Sequence, residues 1–177
     1  MGNYNTALQK LLDNEGIYDN DPMDSGKETA MGISRKNFPN LKLWVFVDAL
    51  KTRTDFPDCI SWDKQILDLV NNFYRENFWD KIWGDKILDQ NKAFSLFDFA
   101  VNAGVNTSVK IAQRALNLHD DGIIGTITLS AINNAHTGEF LAKFAIEKIE
   151  HYTNIVDKKP EQIKFYKGWV KRAIKNA

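Results

Sequence analysis

The stretch NKAFSLFDFAVNAG, residues 91–104, is apolar on nearly every side of a helical projection. A helix of that kind cannot lie on a surface, because it has no polar face to give to water. It has to be wrapped by other elements, and the rest of the chain supplies helices to wrap it. SWDKQILDLVNNFYREN places Ile66, Leu69, Val70 and Phe73 at helical spacing. TSVKIAQRALNL reads as another helix and TITLSAINNA as a short one. GEFLAKFAIEKIEHYTNIV and KPEQIKFYKGWVKRAIKN are two amphipathic helices, and Pro160 is well placed to open the second. KLWVFVDALK is an apolar helix or buried segment. Strand patterns are nearly lacking, so the expectation is an all-α chain organised around residues 91–104.

At the N-terminal end, TALQ reads as a capping box, with Thr6 as N-cap and Gln9 three residues on. Leu8, Leu11 and Leu12 form the helix's apolar stripe, and Gly16 should end it. From residue 17 to 34 the composition changes to turn formers: Asp19, Asn20, Asp21, Pro22, Asp24, Ser25, Gly26 and Gly32. This predicts a loop that would accommodate a short, irregular β-hairpin.

Composition narrows the function. Lys plus Arg number 23 and Asp plus Glu 23, so the surplus of positive charge expected of a general nucleic-acid binder is lacking. With 177 residues, 44% of them apolar, the chain can bury one sizeable core. Cys59 is the one cysteine, so no internal disulfide is expected. No apolar run reaches transmembrane length, and the N-terminus lacks the basic-then-apolar layout of a signal peptide. Synthesis in the cytoplasm is therefore expected, as is a monomer without stable membrane insertion. DNDPMDSG invites a calcium reading, but counting from Asp19 puts Met23, Asp24 and Ala30 at positions five, six and twelve. That does not satisfy the EF-hand template, and no metal or other cofactor is expected.

The chemistry concentrates near Glu15. It follows Leu8, Leu11 and Leu12 at seven, four and three residues, so continuing the helix would place it on their face. A carboxylate against the interior loses water, which disfavours its charged form and keeps a proton available for a leaving group. Asp24 and Thr29 lie further along a loop short enough to fold back over the helix end. Two carboxyl groups in different environments are the minimal equipment for glycoside hydrolysis. Tyr18, at the loop's start, could stack on a sugar ring or shield the acid.

NEGIYDNDPMDSGKETAMGIS resembles the signature of glycoside hydrolase family 108, whose members are lysozyme-like and cleave peptidoglycan as N-acetylmuramidases. That signature reads Glu-Gly-Gly-Tyr, Asp-Pro-x-Asp, Gly-Gly-x-Thr and Gly-Ile, and its catalytic glutamate falls on Glu15. FWDKIWGD and LFDFAVNAG resemble later blocks of the same family. AQRALNLHDDGIIGTITLSAI and FYKGWVKRA resemble the small peptidoglycan-binding domain joined to it. The resemblance implies a lysozyme-like catalytic region over 1–104 with a hairpin insertion, and a helical peptidoglycan-binding region over 105–177 that could pack with the first as one unit. It implies Glu15 as general acid, Asp24 as second carboxylate and Thr29 as a group positioning water or the loop. The substrate would be the β-1,4 bond between N-acetylmuramic acid and N-acetylglucosamine. An enzyme of this kind without a signal peptide would reach the wall by a holin, a dedicated exporter or lysis. Ile17 and Lys27 replace glycines of the signature. They support the alternative, a catalytically inactive wall-binding or secretion-associated protein.

Two polar features remain. Ser95, Asp98 and Asn102 draw one polar line down the otherwise apolar helix. Either the line faces a cleft, where Asp98 and Asn102 bind sugar, or it ties the fold together; both readings stay open. The basic run from Lys158 to Lys175 reads as a solvated face.

Overall fold

A computed structural model describes residues 1–13, 15–20 and 28–175. Eight α-helices and one small sheet occur among the described residues. The helices are α1 (Tyr4–Leu12), α2 (Leu43–Leu50), α3 (Lys64–Tyr74), α4 (Gln90–Ala103), α5 (Val105–Ala115), α6 (Thr126–Asn134), α7 (Thr137–Lys158) and α8 (Ile163–Lys175). The strands are β1 (Tyr18–Asp19), β2 (Thr29–Ala30) and β3 (Ile33–Ser34). The all-α expectation with a short hairpin holds. The chain forms two compact units, one of residues 8–77 and the other of residues 1–7 with 78 onward.

The second of these is built on α4. Ala93, Phe94, Leu96, Phe97, Phe99 and Ala100 are all buried, as an all-round apolar helix demands. Asp89 caps its start by accepting from the Lys92 amide at 2.9 Å. Gly104 ends it at φ 91°, a conformation that favours glycine. α5 and α7 pack on α4, with Phe99 meeting Phe144 and Tyr152 edge-on at 5.8 and 5.9 Å. α8 packs along α7, and Trp169 stacks on Tyr152 at 5.2 Å. Pro160 opens a tight turn, Pro160–Gln162, that leads into α8. Before α4, the fully buried Trp79 lies against Phe97 and donates to Asp85 at 2.8 Å.

The unit of residues 8–77 holds the sheet, α2 and α3. Asp63 caps α3 through the Ile66 amide, and Ile66, Val70, Phe73 and Tyr74 are its buried face. The sheet is antiparallel in the order β1-β2-β3, with Tyr18 opposite Ala30 and Ala30 opposite Ile33. Met31 and Gly32 join β2 to β3 with φ of 48° and 78°. Two consecutive left-handed residues are what a type I′ turn requires, so this is a tight two-residue hairpin and not an irregular one.

α1 differs from expectation at both ends. It begins at Tyr4, because Asn3 rather than Thr6 is the cap: the Asn3 side chain accepts from the Thr6 amide at 2.9 Å. It ends at Leu12, before Gly16. Asp13 places a carboxylate at the helix C-terminus, where the helix dipole disfavours it. Glu15 is therefore outside the helix, and the leucine stripe does not extend to it. At α6, Thr126 is the first helical residue and Gly125 takes the cap position.

Candidate active site

Glu15 is half-buried, in a bend three residues past the end of α1. Its amide donates to the Leu12 carbonyl at 3.1 Å, so the chain turns tightly off the helix. Its side chain lies over Gly32, the second residue of the hairpin turn. A Cβ placed on Gly32 would stand 3.1 Å from Glu15 Cγ and 3.2 Å from Oε2. The hairpin thus brings a bare stretch of backbone under the carboxyl group. On chemical grounds, a carboxyl supported on one side by backbone can exchange a proton with a ligand on the other.

Thr29 lies in β2, half-buried, opposite Asp19 on one side and Ser34 on the other. Residues paired across a sheet share a face, so Thr29 joins Asp19 and Ser34 on a polar face. The other face carries Tyr18, Ala30 and Ile33, the latter two buried. Asp24 and Lys27 lie outside the described residues.

Tyr18 faces a charged cluster that the sequence reading missed. Its ring meets Phe56 edge-on at 4.8 Å, and its hydroxyl donates to Glu28 at 3.1 Å. Glu28 also receives Arg35 at 2.8 Å and Lys51 at 2.7 Å. Arg35 makes a fork to both oxygens of Asp48, at 2.8 and 2.7 Å, and Lys51 reaches the same carboxylate at 2.7 Å. Burial pushes the Glu28 carboxyl up, but hydrogen bonds from Lys51, Arg35 and Tyr18 outweigh it and hold the group below its ordinary value. Arg35, then Lys51, holds Asp48 well below the usual carboxylate range. Burial, reinforced by Glu28, pushes the Tyr18 hydroxyl up. The cluster fastens the hairpin to α2. Asp48 and Lys51 stand at helical spacing, three residues apart, but Tyr18, Glu28 and Arg35 are joined to them by no local pattern.

Asp98 and Asn102 belong to the other unit, and α8 takes them both. Asp98 is 3% exposed and receives Arg172 Nη2 at 2.8 Å and Nε at 3.2 Å. With its amide oxygen turned toward the guanidinium, Asn102 accepts from Arg172 Nε at 2.7 Å. One turn back, Ser95 accepts from Lys148 at 2.9 Å. Lys148 stands 4.2 Å above the Phe144 ring, and burial brings its ammonium down to about 8. The polar line on α4 is thus met by cations from α7 and α8.

The DGIIG turn after α5 is fastened by Gln113. Its amide nitrogen donates to Asp121 at 2.8 Å and Thr128 at 3.1 Å, and its oxygen accepts from the Gly122 amide at 2.9 Å. Ile123 and Ile127 are left exposed beside this turn. Among the described residues, no group of three or more His, Cys, Asp and Glu side chains could hold a metal ion, and no helix is long and apolar enough to cross a membrane.

Comparison with known proteins bears on this arrangement. Residues 8–104 match a family model described as Glycosyl hydrolase 108, and residues 107–174 match one described as a predicted peptidoglycan domain. The first match takes in all of the unit of residues 8–77 and runs on through α4. A solved structure titled "Structure of Brucella abortus SagA" has a TM-score of 0.69. It is 23% identical, over 98% of this chain and 90% of that one, a likeness of fold. A search of curated proteins finds no match.

Proposed function

The chain belongs to the glycosyl hydrolase 108 family, and from that premise we propose that it is a lysozyme-type muramidase with Glu15 as its general acid. Family and C-terminal domain together make it a glycoside hydrolase that acts on peptidoglycan. The proposal narrows this to the β-1,4 bond between N-acetylmuramic acid and N-acetylglucosamine. The observation that carries it is the position of Glu15: half-buried, just past a helix end, with its carboxyl group over the bare backbone of Gly32.

The chemistry needs a proton delivered to the glycosidic oxygen as the bond breaks and positive charge develops on the sugar. Glu15 delivers it. Asp24 is assigned the second carboxylate, which either stabilises that charge or activates water. Thr29, on the polar face of the hairpin, is assigned to positioning water or the loop. Tyr18 acts through Glu28 to hold the hairpin, since its hydroxyl is engaged there. The pairing of Asp98 and Asn102 with Arg172 favours a role for them inside the helical unit over contact with sugar.

Digestion of purified peptidoglycan tests the reading. Wild type releases new reducing ends and Glu15→Gln does not. Binding to sacculi with no release by either protein would support the alternative, an inactive wall binder.

A further inference from the structure

We propose that Tyr74 and Gly32 are positioning residues that build the seat of the Glu15 side chain; this rests on the reading of Glu15 as the acid. Tyr74 is the last residue of α3 and is 1% exposed. A hydroxyl so deeply buried needs a partner. It donates to the Met31 carbonyl at 2.9 Å. The Met31 amide donates in turn to the Ile17 carbonyl at 2.8 Å. Both polar backbone groups of Met31 are therefore fixed from outside the turn. Met31 needs this, since its φ of 48° is uncommon for a residue with a long side chain.

The next residue, Gly32, is where the two side chains converge. A Cβ on Gly32 would stand 2.7 Å from Tyr74 Oη, 3.1 Å from Glu15 Cγ and 3.2 Å from Glu15 Oε2. The carboxyl and the hydroxyl thus approach one spot above a Cα that carries nothing. Glycine is required twice, by its φ of 78° and by this approach. α3 supplies the hydroxyl, the hydroxyl holds the turn, and the turn sets the height of the acid. A proton donor misplaced by about 1 Å loses roughly a hundredfold in rate, so a seat of this kind governs turnover more than binding.

The test uses the full chain and soluble glycan fragments of peptidoglycan, with kcat, KM and folded fraction measured together. Tyr74→Phe removes one oxygen and leaves the ring. It is expected to lower kcat about 10- to 100-fold, with KM within about twofold and the circular dichroism of wild type. Gly32→Ala is expected to lower kcat at least as far. If Glu15→Gln is inactive while Tyr74→Phe keeps the wild-type kcat, the seat is overturned and the muramidase reading stands. If Glu15→Gln keeps wild-type activity, both fall. A loss in either seat variant that only follows its folded fraction also overturns the proposal.

Discussion

The two compact units use charge in opposite ways. In the unit built on α4, Lys92, Lys148 and Asp98 are buried, and each meets a polar or charged group on another helix. Arg172 meets Asp98 and Asn102, Lys148 meets Ser95, and Lys92 caps the end of α6 through the Ile132 and Ala135 carbonyls at 2.6 and 2.7 Å. In the unit of residues 8–77, Glu28, Arg35, Asp48 and Lys51 gather where water still reaches. Arg35 is 34% and Asp48 43% exposed in its side chain. Buried charges that lose a partner are costly, whereas exposed pairs contribute little to stability. The helical unit is thereby locked by its polar groups. The hairpin unit uses them to tie β1 and the flanks of the hairpin to the end of α2.

Substitutions break this contrast in a definite order. Arg172→Met takes the forked guanidinium from the buried Asp98 carboxylate and should cost up to about 3–5 kcal/mol in denaturant unfolding. Lys92→Met removes two hydrogen bonds from the last carbonyls of α6 and should cost about 1–3 kcal/mol by the same measurement. Asp48→Asn takes one carboxylate from the exposed cluster and should cost no more than about 1 kcal/mol at neutral pH. A loss of 3 kcal/mol there, or none at Arg172, would contradict the contrast.

Acid sharpens it further. Asp48 is held low by Arg35 and Lys51, and Glu28 by hydrogen bonds that outweigh its burial. Carboxyls lowered in the folded state stabilise it fully above their ordinary values, about pH 4, and lose that contribution as pH falls through the lower folded values. Wild type and Asp48→Asn should therefore converge in melting temperature on acidification. A gap that stays constant would show that the cluster contributes no electrostatic stability.

The helical unit was the more legible of the two, for the same physical reason. Residues 91–104 are apolar all round, and Gly104 marks their end, so the central helix could be read from local pattern alone. Asn3 and Thr6 are both good caps, and only the structure shows that Asn3 is used. The stripe through Leu8, Leu11 and Leu12 pointed to Glu15 by a helical continuation that does not form. The residue is nonetheless half-buried, through a tight turn that no periodicity encodes. Met31-Gly32 marks a hairpin, but Tyr74 is 43 residues away from the carbonyl it holds. Such pairings, like those of Glu28 with Lys51 or Asp98 with Arg172, join distant positions that no local pattern links.

Release of reducing ends from purified peptidoglycan, compared between wild type and folded Glu15→Gln, tests the central claim most directly. Loss of release by a factor of about a hundred or more, with sacculus binding retained, is the result expected of a general acid. Undiminished release by Glu15→Gln would contradict it and remove the proposed acid from the chemistry.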